Sequence, residues 1–545
     1  MRIPDKAAIA IALAFTCLVL LPFINKPFNV DDPFYLKMAQ HIRTDPLHPY
    51  SFKINWSGEM RDAWQSGEAN FPPLVPYYIA FVMAMSGSQE WVLHCAFLIF
   101  PVIAVLSFYF IARKYCKDPL LPTLLFAATP VFSVSATSIM LDIPLVAFMV
   151  CAVALFIYGV DRNNPAFLAG AGIFTGGALL IKYTAAILIP MLLLYLFLEK
   201  KINYAAYMLI PIGIFAGWCI HNYAIYNDLH FLKSIGYGSN RFSLHKLIAF
   251  NTFFSGAMIF PAFVVFLMNK KELLLSLAPV TISVILAFVA TGNFFVSLAI
   301  AALCFATIAF LYKVSVMSGK LPVFILAWLA LSLFVILGRQ PWIAGRYILL
   351  ALPPAVILWQ TMQEKIFAHH RLAAAGLICT LFCGLPVVYA DYQWAKGYKD
   401  FAAVLQEKGY NSGYILGHGG FQYYLEKAGM SELEIDKSVE PKSYIIISRQ
   451  LNQKIPGNLP FTKMYHVGTL PIGGGLPVRV MNHRAAAGFH ASFWGIFPFT
   501  FSQIPMDEIA IYQYRGHTTM KSQGRTTPVG SKGRCKLINL SVKSL

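Results

Sequence analysis

Asp31 and Asp32 stand side by side just past the first long apolar run of the chain, and Asp142 stands alone between two later runs. A carboxylate at a membrane boundary is costly to keep charged, so acids placed there are candidate functional groups. A carboxylate can take the proton from a hydroxyl or amine as that group attacks. Two cations hold comparable positions: Lys182 at the end of one apolar run, and Arg346, followed by Tyr347, at the start of another. Cations so placed can stabilise charge developing on a departing phosphate, Arg in bidentate fashion. Each residue also has a plain reading. Asp31-Asp32 before Pro33, and Asp142 before Ile143-Pro144, suit helix N-termini. Lys182 and Arg346 suit side chains that snorkel to the membrane edge. Chemistry is favoured by their falling together on one face once a topology is assigned.

The 545 residues are 57% hydrophobic and 12% charged, against about 25% charged in a soluble domain. This is the composition of a polytopic membrane protein. The formal charge of +18 does not indicate nucleic acid. The basic residues lie in short loops between apolar runs and in the C-terminal tail, as expected for cytoplasmic loops. Most of the nine cysteines lie within apolar runs; they read as small buried residues, and no spacing suggests a disulfide framework or zinc site. Arg2 and Lys6 precede the run Ala7–Ile24, which is read as an uncleaved first helix.

Thirteen apolar runs read as spans, near 7–24, 90–112, 119–137, 142–160, 165–181, 184–198, 204–224, 248–268, 272–290, 293–312, 321–337, 347–361 and 371–390. The stretch 72–86, opening on Pro72-Pro73, is either a further span or a helix at the interface. Taken as interfacial, with a cytoplasmic N-terminus, it leaves the basic clusters at 113–117, 161–162, 199–201, 270–272, 313–320 and 364–371 on one side. Asp31, Asp32, Asp142, Lys182 and Arg346 then share the outer face, together with everything after 391.

The expected fold is an all-α bundle of about 13 transmembrane helices (residues 1–390) carrying a small α/β outer domain (391–515) and a disordered basic tail (516–545). The first outer loop, 25–89, predicts an amphipathic helix over 33–43, and Trp56, Trp64 and Trp91 suit the interface. The α/β reading rests on helices near 398–409 and 420–429 and strands near 414–416, 443–448, 464–469 and 477–481. The tail holds six Lys/Arg and no Asp or Glu.

Asp31-Asp32 after the first span, the juxtamembrane helix, Pro72-Pro73-Leu74, Met140-Leu141-Asp142-Ile143-Pro144, and Gly345-Arg346-Tyr347 with Pro353-Pro354 beyond resemble the GT-C glycosyltransferases. The closest branch is that of bacterial aminoarabinose transferases and protein O-mannosyltransferases (glycosyltransferase families 39 and 83). The resemblance covers roughly residues 1–390, and thirteen helices agree with it. It implies an inverting transfer from a polyprenyl-phosphate sugar to a lipid, glycan or protein acceptor at the outer face of the bacterial inner membrane. It also implies roles: Asp31 as base, Asp32 in support, Asp142 orienting the acceptor, and Arg346 with Tyr347 at the donor phosphate. One departure stands out. Aminoarabinose transferases often carry Glu-Lys before the two prolines, where this chain has Asn70-Phe71. A phosphate contact is missing there, and Arg346, Lys182 or Arg61 would have to supply it.

Two other classes were weighed. A transporter or lipid flippase would place ionisable groups near the bilayer midplane, often in repeated halves; here they lie at span ends and no repeat is visible. A structural subunit would use the outer domain to bind a partner. No GxxxxGK[ST] or HExxH occurs. No cofactor is expected. A divalent ion bridging carboxylates through water is chemically open, but Asp31, Asp32 and Asp142 are a thin ligand set.

Overall fold

The computed structural model describes residues 3–55, 59–237, 243–291, 293–366, 371–410, 412–434, 439–451 and 464–515. The expected disordered tail lies outside them, as does Trp56.

The chain divides into two compact units. The first comprises residues 1–54, 61–393 and 475–504 and is mostly helical. Among the described residues, six helices are long and apolar enough to cross a membrane: Asp5–Phe23, Glu90–Tyr115, Asp142–Arg162, Ile202–Tyr226, Phe294–Val316 and Arg371–Glu407, the last continuing into the second unit. Leu74–Ser86, Pro165–Leu179, Tyr183–Leu198 and Val323–Arg339 are apolar but shorter. This supports a multi-pass membrane protein, though fewer spans meet the length test than the thirteen runs expected. The physical reason is breakage. The run at 119–137 splits into Leu120–Ala128 and Pro130–Ala136, because a proline cannot continue the ladder behind it. The run at 248–268 splits into Leu244–Met258 and Phe260–Leu267, bent by 91°. Ile259 lies between them at φ 66, and Pro261 follows in the first turn of the second piece.

Leu74–Ser86 spans 13 residues, about 20 Å of helix against the roughly 30 Å of a hydrocarbon core. It packs on the Asp32–Thr44 helix, which is the amphipathic helix expected over 33–43. That helix buries Phe34, Tyr35, Leu36, Met38, Ala39 and Ile42.

The second unit comprises the described residues of 55–60, 394–474 and 505–515. The expected helix at 398–409 is the end of the 37-residue helix Arg371–Glu407. A five-stranded sheet runs in the order Ser431–Glu432, Tyr414–Leu416, Tyr444–Ser448, Asp507–Tyr514, Met464–Ile472. The first two pairings are parallel and the last two antiparallel. The strand Asp507–Tyr514 was missed from the sequence although Ile509 and Ile511 alternate in DEIAIYQY. Asp507 anchors it, accepting hydrogen bonds from Tyr398, Ser448 and the N–H groups of Gln450 and Glu508.

The stretch 475–504 belongs to the first unit, not to one continuous block from 391 to 515. The strand expected near 477–481 is two short ones, Val478–Arg479 and Met481–Asn482, paired with Thr500–Phe501 and Ala487–Gly488. Phe497 packs with Ile300 and Cys304 of the Phe294–Val316 helix.

Candidate active site

Asp31 is the N-cap of the Asp32–Thr44 helix but makes no capping hydrogen bond with its side chain. Its Oδ2 instead accepts from Arg346 Nη1 at 2.8 Å, a residue 315 positions away. The plain capping reading of Asp31 therefore fails. The residue before it, Val30, has φ 52. A β-branched residue in this region is strained by about 1–3 kcal/mol, a cost accepted only where the surroundings demand it. Here the turn delivers Asp31 to Arg346.

Asp32 points the other way. It is buried, and its Oδ2 accepts from the Asn29 N–H at 3.0 Å, reaching back as an acid in the first helical turn does. Burial pushes its carboxyl up to about 7, against the pull of the Lys26 ammonium. Asp32 thus binds a proton in the folded chain over a range where the unfolded chain has released it. Its contribution to stability is fully present below about pH 4 and is lost as pH rises through about 7, at up to about 1.4 kcal/mol per unit. Asp32→Asn is expected to raise the melting temperature at pH 8 and to leave it nearly unchanged at pH 4. A variant that melts below wild type at both pH values would refute this assignment.

Asp142 opens the Asp142–Arg162 helix and is buried. Its Oδ1 accepts from Lys182 Nζ at 2.6 Å. Removing one partner of a mostly buried pair leaves the other uncompensated. Lys182→Met is therefore expected to destabilise by about 1–3 kcal/mol, and Asp142→Asn in the same chain to restore most of the loss. Thermal unfolding in detergent measures both.

Tyr347 lies between the two cations, its ring 5.5 Å from the Arg346 guanidinium and 6.0 Å from Lys182 Nζ. Burial opposes the Arg346 charge, but Asp31 beside it prevails and holds the guanidinium charged well above its ordinary range. Tyr35, one helical turn beyond Asp31, is a residue the sequence reading missed. Burial raises its phenol well above the ordinary value, and Asp31, Arg346 and Asp142 all act on it electrostatically. Asp32 Oδ1, Asp142 Oδ2 and Arg346 Nε have no hydrogen-bond partner among the described residues. The two ion pairs therefore leave one acceptor, on Asp142, and one donor, on Arg346, unused.

Arg61 lies exposed on the strand Met60–Asp62. Asn70-Phe71, where the resemblance had a charged pair, serves packing. The Phe71 ring meets Tyr35 at 5.1 Å and Phe34 at 5.7 Å, and its carbonyl accepts from the Tyr50 hydroxyl at 2.6 Å. His230 secures the same loop: Nε2–H donates to the Ala69 carbonyl and Nδ1 accepts from the Tyr183 hydroxyl, each at 2.7 Å. Burial pushes its pKa down to about 4, so the ring is neutral and both bonds persist at neutral pH. Among the described residues, no three His, Cys, Asp or Glu side chains come together as metal ligands.

Residues 70–221 match the family model described as dolichyl-phosphate-mannose-protein mannosyltransferase. The matched segment is less than half of the chain; it contains Asp142 and Lys182 but not Asp31 or Arg346. No curated protein matches the chain. Among solved structures, ArnT from Cupriavidus metallidurans bound to undecaprenyl phosphate aligns over 82% of this chain and 93% of its own, with 14% identity and a TM-score of 0.43. The S. cerevisiae protein O-mannosyltransferase Pmt1-Pmt2 complex bound to the sugar donor aligns over 45% and 36%, with 18% identity and a TM-score of 0.32. The arabinofuranosyltransferase AftD from Mycobacteria aligns over 95% and 40%, with 11% identity and a TM-score of 0.42.

Proposed function

We propose that the chain is a membrane glycosyltransferase that moves a sugar from a polyprenyl-phosphate donor to a lipid, glycan or protein acceptor at the outer face of a bacterial inner membrane. The observation that carries this reading is the pairing of Asp31 with Arg346 beside the Asp142–Lys182 pair. A carboxylate able to take a proton and two cations able to hold a phosphate stand around the buried Tyr35 and the half-buried Tyr347. In this reading the acceptor hydroxyl or amine loses its proton to Asp31 as it attacks the anomeric carbon. The bond from that carbon to the phosphate oxygen breaks, and the oxygen takes the electron pair. Arg346 and Lys182 meet the charge that develops on the phosphate. Asp32 backs the first acid, and Asp142 orients the acceptor through its unpartnered oxygen. The match of residues 70–221 to a mannosyltransferase family supports the reaction class.

The test is transfer of radiolabel from a panel of undecaprenyl-phosphate sugars into membrane extract by purified protein. A labelled product that needs the protein supports the reading and identifies the acceptor class. No product from any donor, with protein that is folded and monodisperse, refutes it.

One observation favours a second reading, a transporter or flippase: the 91° break at Ile259, since transporters build sites at broken helices. The polar groups near the break are already engaged. Ser255 bonds Thr307 at 2.6 Å, and Thr307 donates to the Asn251 carbonyl at 2.7 Å. Counterflow of labelled lipid into proteoliposomes without covalent product would favour this alternative.

A further inference from the structure

We propose that a buried hub of Lys26, Asp391 and His490 sets Asp31, Asp142 and Arg346 relative to one another, and that His490 is the positioning residue joining the Arg346 loop to it. This rests on the glycosyltransferase reading above.

The three residues are 1%, 1% and 5% exposed. The Lys26 ammonium bonds Asp391 Oδ2, Ser138 Oγ at 3.0 Å and Thr137 Oγ1 at 3.5 Å. A lysine has three donors, so all of them are engaged. The second Asp391 oxygen accepts from His490 Nε2–H at 2.8 Å. The Lys26 backbone is fixed as well, its carbonyl accepting from His94 Nε2 at 2.9 Å.

Each arm of the hub leads to a reactive group. Asp31 follows Lys26 by five positions, and Asp142 follows Ser138 by four. His490 lies in a short segment that is hydrogen-bonded to the Arg346 loop on both sides. The Gly345 N–H donates to the Phe489 carbonyl at 2.7 Å, and the Ser492 N–H donates to the Ile343 carbonyl at 2.7 Å. The Ser492 hydroxyl in turn accepts from the Ile343 N–H at 3.1 Å. The approach is close: a Cβ on Gly345 would lie 2.8 Å from the Phe489 ring. Asp391 and His490 thus join the loop of Arg346 to the turns of Asp31 and Asp142.

Burying a lysine and a carboxylate is a poor route to stability, since apolar residues of similar volume do as well or better. Directional bonds do what apolar contacts cannot: they fix the relative setting of three chain segments that arrive from distant parts of the sequence. A misplacement of about 1 Å between reacting groups can cost on the order of 100-fold in rate.

The test uses the purified full chain with two readouts, sugar transfer and binding of undecaprenyl phosphate followed by thermal shift. His490→Leu is expected to lower kcat by on the order of 100-fold and to weaken phosphate binding about tenfold by releasing Arg346. His490→Gln, whose amide N–H can still donate to Asp391, is expected to recover most of both. In combination with Arg346→Ala, His490→Leu is expected to add nothing to either loss, as for residues acting through one another. Should His490→Leu fail to fold, Ser492→Ala takes its place in the same cycle, since it removes the acceptor of the Ile343 N–H. Wild-type binding in the folded variant, or losses that multiply in full with those of Arg346→Ala, would overturn the proposal. Absence of transfer by wild type in the presence of phosphate binding would instead refute the reaction, and the binding cycle would still decide the hub.

Discussion

Asp31→Asn is expected to lower sugar transfer by roughly 100- to 10,000-fold, the range of a positioned general base, while the protein stays folded. The substitution keeps shape, and the amide oxygen can still accept from Arg346 Nη1, now 2.8 Å from Asp31 Oδ2. What it removes is the capacity to take a proton. The loss should therefore fall on kcat, with the donor KM nearly unchanged, because the proposed mechanism gives the phosphate to the cations and not to Asp31. Side-chain exposure of 27% at Asp31 against 5% at Asp142 makes Asp31 the acid that an incoming acceptor reaches. Transfer at the wild-type rate by folded Asp31→Asn would exclude Asp31 as base and leave Asp142 as the candidate.

The second large effect is expected at Arg346. Arg346→Ala should reduce kcat by roughly 100- to 1000-fold, as when a charge-stabilising donor is removed from an active site, and should also raise the donor KM. Arg346→Lys is expected to recover only part of the loss. A lysine can pair with Asp31 as a point charge but cannot offer the planar fork that fits a phosphate or carboxylate. Asp31→Asn and Arg346→Ala together should be less harmful than the product of their separate effects, because the two side chains contact one another. An Arg346→Lys variant with full activity, or losses that multiply exactly as independent sites do, would remove Arg346 from the donor phosphate.

The candidate site residues were legible in the sequence from type and place. Charged side chains are rare in so apolar a chain, and those at run ends on one face stood out. Asp31, Asp142, Lys182, Arg346 and Tyr347 do come together. Arg61 lies exposed on the strand Met60–Asp62, and nothing in its local sequence could have shown that. The pairing itself was not legible: Asp31 had an equally good reading as a helix cap, and only its geometry sets that reading aside. Tyr35 could have been found, since it follows Asp31 by one helical turn on a helix already expected.

The hub is the clearest case of what was hidden. Lys26 and Asp391 are 365 positions apart, and Asp391 and His490 are 99 apart. Lys26 falls just past the first apolar run, Asp391 falls where the composition turns water-compatible, and His490 sits in a stretch without helical or strand period. The same lack of period hid the packing of 475–504 with the helical unit.

By itself the sequence determined the class of molecule: apolar runs too long and too sparsely charged for a soluble core, an amphipathic helix after the first run, and acids and cations at run ends. These follow from local composition and from the cost of charge in hydrocarbon, which each segment expresses on its own. Only the tertiary structure decided which acid meets which cation, where the runs at 119–137 and 248–268 break, and which buried charges lock the loops together. Those outcomes depend on partners hundreds of residues away, whose directional bonds have no trace in the local pattern.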